Sequence, residues 1–297
     1  RDAVGQVIVG HDEAVESTLI CLFAGGHLLL EGVPGTGKTL LVRTLAKAME
    51  LKFGRIQSTP DLMPADVLGT WIVDEAEGRR DLTFHHGPIF GNVVLADEVN
   101  RTSSRTLSCL LEAMEEGVVS VDGQTMPLGT PFTILATRNP IEFHGTFPIP
   151  EAALDRFLVH VELGYPGADA EKELYRGQGA ESCLDSVEPV VSREQLLVLI
   201  SAVPSVRVSE EIAEYAYRFV EATREHAAVA LGVSPRAAVS WLVAARARAL
   251  MDGRDYVLPD DLKALARPVL GHRIFLKGGG SGRAIVDEVL QSVPVEL

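Results

Sequence analysis

Cysteine is scarce. The chain has three in 297 residues, Cys21, Cys109 and Cys183, an odd number at no paired spacing. That excludes a disulfide framework or a cysteine zinc motif and fits indifferent or buried thiols in a reducing cytoplasm. Positive charge is also short. Lys and Arg number 27 against 41 Asp and Glu, a formal charge of -14, and no block of basic residues occurs. Broad binding to nucleic acid or to an anionic membrane usually needs a basic face, so neither is expected. Long apolar runs are missing as well. Nothing approaches the ~18 to 20 residues of a spanning helix, so no membrane insertion is expected. The stretch VSWLVAARARALM (239–251) is broken by two arginines and reads as amphipathic. No secretory pattern opens the sequence, which starts at Arg1 without a methionine, so further residues are expected before it.

What is present is an ordinary globular composition, 46% hydrophobic and 23% charged. The first half alternates short apolar runs with helical patterns. HLLLEG (27–32), FGRIQ (53–57), NVVLADE (92–98), PFTILATRN (131–139) and FLVHVEL (157–163) are near-continuous in apolar residues. Such runs are expected of parallel strands covered on both faces. TLLVRTLAKAM and SSRTLSCLLEAMEE read as helices between them. Two further stretches, TWIVDEAEGRRDLTFH and GVVSVDGQTMPL, read as β-hairpins, the second turning at Asp122-Gly123. Residues 1–166 are therefore expected to form an α/β domain. Beyond them the patterns are helical only. EEIAEYAYRFVEATREH puts Ile212, Tyr215, Ala216, Phe219, Val220 and Thr223 on one face, and Ser234-Pro235 reads as a helix start. Residues 167–297 are expected to be an all-helical domain entered through a linker near 177–192, with GGGSG (278–282) as a flexible loop.

Gly32-Val33-Pro34-Gly35-Thr36-Gly37-Lys38-Thr39 matches G-x-x-x-x-G-K-[ST], with a strand pattern before it and a helix pattern after it. Glycines let backbone N–H groups turn inward around phosphates, and the helix N-terminus adds a favourable dipole. Lys38 is expected to reach the β- and γ-phosphates and Thr39 to ligate Mg²⁺. NVVLADE delivers Asp97 and Glu98 at a strand's carboxyl end, where open α/β sheets bind ligands. Asp97 is expected to hold Mg²⁺, and Glu98 to orient and deprotonate an attacking water.

Asn139 has two readings: a group aimed at the γ-phosphate, if its strand lies between those of the P-loop and Asp97, or a cap for the turn before Pro140. Arg156 follows EAALD and is either a local partner of Asp155 and the helix dipole or an arginine finger for a neighbouring subunit. Arg236, held rigidly after Pro235, is a second candidate phosphate contact. Arg138 is either a surface charge or a neighbour contact.

Taken in order, GVPGTGKT, LADEVNR, ATRNP, GTFPIPEAALDRF and GVSPRAAVSWL resemble the MoxR family of AAA+ ATPases, over nearly the whole chain. The resemblance implies an AAA+ parallel-sheet domain with two hairpin inserts facing the pore of a hexameric ring, followed by a helical lid. It implies Walker A at Gly32 to Thr39 (including Gly35, Thr36 and Gly37), Walker B at Asp97 and Glu98, sensor 1 at Asn139, the arginine finger at Arg156 and sensor 2 at Arg236. Val9 and Gly10 would lie beside the adenine of ATP. His11 and Arg138 stand where the family usually has Gln.

The implied activity is Mg²⁺-dependent ATP hydrolysis by a homo-oligomer that remodels client proteins. Its usual partner carries a von Willebrand factor A domain. A chelatase motor subunit for Mg²⁺ or Co²⁺ would carry the same motifs. A nucleic-acid motor is disfavoured by the second hairpin, which lacks Lys and Arg. A scaffold without turnover is disfavoured by Glu98 and Arg156.

Overall fold

The structure, a computed structural model, describes residues 2–5, 7–8, 10–33, 35–76, 79–139, 149–165, 167–175, 184–185 and 187–295. In chain order the first nine strands are β1 (Leu28–Gly32), β2 (Phe53–Gln57), β3 (Gly69–Ala76), β4 (Arg79–His86), β5 (Val93–Asp97), β6 (Val118–Val121), β7 (Gln124–Pro127), β8 (Thr133–Arg138) and β9 (Val159–Leu163). Five of them make one sheet in the order β2-β5-β8-β1-β9. β5 pairs in parallel with β2 and with β8. The strand leading to Asn139 therefore lies between the P-loop strand and the Asp97 strand, as the first of its two readings requires. Both hairpins form, β3 with β4 and β6 with β7. Asp122 (φ 49°) and Gly123 (φ 78°) take the left-handed conformations of a two-residue turn. The tip of the first hairpin (77–78), half of the 177–192 linker and Cys183 lie outside the described residues.

The chain folds as two compact units: Arg1–Val15, Leu29–Ile149 and Glu162–Arg193 in one, Glu16–Leu28, Pro150–Val161 and Glu194–Leu297 in the other. In the first, Val93, Val94, Leu95 and Ala96 of β5 are all fully buried, and so are Leu29, Leu30 and Leu135. The helix Lys38–Ala48 buries Leu41, Val42, Leu45 and Ala48 at helical spacing. Asn92 ties the entries of three strands together. It exchanges backbone bonds with Lys52 and Thr133 (Asn92 N to Lys52 O, 2.7 Å; Thr133 N to Asn92 O, 2.9 Å). Its side chain accepts from Lys52 N at 3.1 Å and donates to Pro131 O at 2.9 Å.

In the second unit the face expected of residues 210–225 is the buried face of the helix Glu210–Glu225. Phe219 packs on Trp241 with ring centroids 4.9 Å apart, and the Trp241 indole N–H donates to Leu262 O at 2.9 Å. Ser234 caps the helix Pro235–Met251 by accepting from Ala237 N. Asp261 is 3% exposed, takes two 2.8 Å bonds from Arg254 and accepts from Leu258 N at the start of the helix Pro259–Leu270. The region is not purely helical: β10 (Val229–Leu231) pairs antiparallel with β11 (Phe275–Leu276). These runs are too short for period-two alternation to register.

Asn92→Ala leaves the Lys52 N–H and the Pro131 carbonyl without their side-chain partner. The expected loss is roughly 2 to 4 kcal/mol, read as a fall in the urea midpoint at unchanged slope.

Candidate functional site

β1 ends at Gly32, and the chain turns through Gly35 (φ 82°) and Gly37 (φ 81°) into the helix Lys38–Ala48. These left-handed positions let successive N–H groups converge, which a side-chain-bearing residue would do only under strain. Lys38 Nζ donates to the Gly32 and Val33 carbonyls of the same loop, and the Thr36 hydroxyl donates to Val33 O at 3.0 Å. Burial pushes the Lys38 ammonium below its ordinary pKa, while Asp97 and Glu98 pull it back. A partly desolvated cation of this kind is relieved by an incoming anion.

Asp97 ends β5, and the next residue leaves the sheet. Glu98 has φ 56° and ψ 48°, a left-handed conformation that costs a non-glycine residue about 1 to 3 kcal/mol. Thr137 of β8 holds both residues in place: its hydroxyl accepts from Glu98 N at 2.9 Å and donates to Asp97 Oδ1 at 3.2 Å. The other Asp97 oxygen takes two bonds from Arg55, at 3.1 Å from Nε and 2.9 Å from Nη2. Arg101 Nη1 donates to Glu98 Oε2 at 2.9 Å. Arg138 pairs with Glu31 of β1 at 3.0 Å, which is the neighbour contact of its two readings.

Gly35, Gly37, Lys38, Thr39, Asp97, Glu98 and Asn139 line one cleft of about 410 Å³, a size usual for small-molecule sites. Arg43, Arg55 and Thr137 share its walls, so three cations face two carboxylates. Asn139 is 7% exposed. The arrangement can hold a polyanion against Lys38 and the loop N–H groups in a cleft that Asp97 and Glu98 also line. Gly10 is an exposed turn residue with φ 80°, and Val9 lies outside the described residues. Arg156 and Arg236 belong to the other unit. Arg156 follows the helix Glu151–Leu154, with Nη1 donating to Ala152 O at 2.7 Å. Arg236 is exposed in the first turn of the helix Pro235–Met251.

Residues 27–159 match the ATPase family associated with various cellular activities (AAA), and residues 221–291 match the AAA lid domain. The chain is 40% identical to Chaperone MoxR1 of Mycobacterium tuberculosis, over 98% of this chain and 80% of that one. It is 30% identical to Protein MoxR of Paracoccus denitrificans, over 99% and 94%. The chain belongs to the MoxR family of AAA+ ATPases.

A solved structure from Cytophaga hutchinsonii, described as a candidate ATPase, superposes on this MoxR-family chain with a TM-score of 0.90 at 40% identity, covering 100% of this chain and 93% of that one. The YeaC protein of Bacillus subtilis is 46% identical over 99% of this chain and 93% of its own. Nucleotide binding and ATPase activity in general follow from the family. Among the described residues no helix is long and apolar enough to cross a membrane.

Arg55 and Thr137 are among the members of the site that motif reading missed. Both carried a signal. Arg55 and Gln57 alternate with buried Gly54 and Ile56 along β2, and Thr137 is a polar residue inside a buried run. His85 and His86, adjacent in β4, pair with Thr70 and Gly69. The His86 and Phe90 ring centroids lie 4.2 Å apart.

Thr137→Val keeps the shape of the side chain and removes both hydrogen bonds. Turnover of ATP is expected to fall about 10- to 100-fold with nucleotide affinity nearly unchanged, as read by steady-state kinetics beside equilibrium titration.

Proposed function

We propose that this chain hydrolyses ATP to ADP and phosphate, with Mg²⁺, in a homo-oligomeric, six-membered ring, and that the cycle drives chaperone-like maturation or activation of client proteins. The observation that carries the reading is the convergence of Lys38, Thr39, Asp97, Glu98 and Asn139 on one cleft at the carboxyl ends of adjacent strands. Its chaperone half leans on the name of the Mycobacterium tuberculosis relative. A partner with a von Willebrand factor A domain and a cytoplasmic location come from the family resemblance and the cysteine pattern. The working division is a nucleotide-binding domain of 1–166 and a linker with helical lid of 167–297.

The roles follow from chemistry. Lys38 turns from the Gly32 and Val33 carbonyls to the β- and γ-phosphates, exchanging weak acceptors for anionic ones. Gly35, Thr36 and Gly37 present backbone N–H groups to the phosphates. The Asp97 carboxylate and the Thr39 hydroxyl are hard oxygen donors on one cleft, a set that suits Mg²⁺. Bound there, the ion neutralises charge on the phosphate oxygens. Glu98 accepts a proton from the water whose oxygen attacks the γ-phosphorus, as the bond to the β–γ bridging oxygen breaks. Asn139 orients that water. Arg156 acts on the neighbouring subunit's ATP, and Arg236 makes a second phosphate contact. Val9 and Gly10 flank the adenine.

An arginine finger supplies roughly 10³ to 10⁵ in rate, or about 4 to 7 kcal/mol of transition-state stabilisation. Turnover per subunit should therefore rise with protein concentration and level off, and Arg156→Ala should flatten and depress that curve. A rate that ignores both dilution and the substitution removes the ring mechanism.

Glu98→Gln should bind ATP without hydrolysing it and retain the engaged client for identification by mass spectrometry. A protein with a von Willebrand factor A domain supports the chaperone reading. Chelatase subunits or nucleic acid in its place would make this motor serve another task.

A further inference from the structure

Arg156 stands between two residues whose backbone carbonyls are taken by the same buried side chain. Arg273 Nη2 donates to Asp155 O at 2.9 Å and to Phe157 O at 3.0 Å. Its Nε lies 3.1 Å from the Asp155 carboxylate. His272, the residue before it, puts Nε2 2.9 Å from the same Phe157 carbonyl. Burial, with Arg273 and His160 adding repulsion, pushes His272 well below its ordinary pKa. The imidazole is therefore neutral and donates from Nε2.

These bonds add to the short-range ones that the local chain makes by itself. The helix Glu151–Leu154 is a single turn, too short to be stable by itself, and it is closed by Asp155 N to Glu151 O and Phe157 N to Leu154 O, both at 3.1 Å. Arg156 N reaches Ala153 O only at 3.3 Å. The backbone on both sides of Arg156 is thus tied to a guanidinium more than a hundred positions away in sequence.

That guanidinium is an expensive choice. Arg273 is 5% exposed, and its Nη1 is buried with no hydrogen-bond partner among the described residues. Burial draws its pKa down to about 10, while the Asp155 carboxylate opposes the fall, so it stays charged at neutral pH. Arg236 pushes in the same direction as burial, which places the second arginine within reach of the same field. Asp155, Ser234, Pro235 and Arg273 line one cleft, so the residues next to Arg156 and Arg236 meet around Arg273.

We propose that Arg273 is a positioning residue for catalysis: it clamps the carbonyls on both sides of Arg156 and so fixes where that guanidinium is presented to a neighbouring ATP. The proposal rests on Arg156 acting as the finger.

Arg273→Met and Arg273→Lys in the full chain test it, with Arg156→Ala beside them. Misplacing a reacting group by about 1 Å costs on the order of 100-fold, so Arg273→Met should lower kcat about 100-fold and leave affinity for a fluorescent ATP analogue within about twofold. A lysine can still donate to both carbonyls, so Arg273→Lys should recover most of that loss, to within about 10-fold of the parent. Mixing supplies a second readout. Arg273→Met subunits keep Glu98, and Glu98→Gln subunits keep a well-placed Arg156, so the mixture should turn over about 10-fold faster than either alone.

Unchanged kcat in both Arg273 variants, or an equal fall in kcat and nucleotide affinity, overturns the proposal. If Arg156→Ala is inactive in that same experiment, the finger reading survives. If Arg156→Ala is also fully active, the finger reading itself has failed. Should the methionine variant not fold, Arg273→Gln takes its place: parental kcat then overturns the proposal, and a slowed kcat at unchanged affinity supports it.

Discussion

The hydroxyl of Thr137 carries the junction on which the site depends. A parallel strand buried on both faces cannot carry polar side chains along its length, so its chemistry is pushed to the carboxyl end. There, the Asp97 side chain must be held in place and Glu98 must leave the sheet in a left-handed conformation within a single residue. One hydroxyl on the adjacent strand meets both demands, accepting from the Glu98 N–H and donating to the Asp97 carboxylate. The β5–β8 pairing puts Ala96 opposite Ala136, which brings Thr137 level with Asp97. A slip of one residue would turn that hydroxyl to the other face of the sheet.

Around this junction the charges are paired before any nucleotide arrives. Arg55 occupies Asp97, Arg101 occupies Glu98, Arg138 occupies Glu31, and Lys38 rests on its own loop carbonyls. These pairs are partly exposed, so each contributes little to stability, about 0 to 1 kcal/mol. Their effect is on preparation: each carboxylate is kept oriented, and each cation can exchange a protein acceptor for a phosphate oxygen. The ties at the opposite end of the strands are of another kind. Asn92 joins the entries of β2, β5 and β8 through neutral hydrogen bonds that no ligand replaces. One end of the sheet is fixed and the other is available for exchange.

Much of this was legible in the residues. The five strands, both hairpins and the buried face of the helix Glu210–Glu225 follow from periodicity, because burial on one face or two imposes a repeat of 3.6 or 2 on the apolar positions. The P-loop and the Asp97-Glu98 pair were readable because their chemistry is local, confined to eight and two consecutive residues. Arg55 and Thr137 escaped motif reading because their partners lie 42 and 40 positions away. The β10–β11 pair escaped because three residues and two residues carry no period.

The sequence by itself determined the element types, the phosphate loop and the carboxylates that follow the third core strand, since each is written in adjacent residues and needs no distant partner. Only the tertiary structure decided which cations those carboxylates hold, which hydroxyl joins Asp97 to Glu98, and that Arg273 grips the chain on both sides of Arg156. These contacts join residues far apart in the chain, and strand order, register and burial bring them within hydrogen-bond reach; nothing in the local pattern specifies that distance.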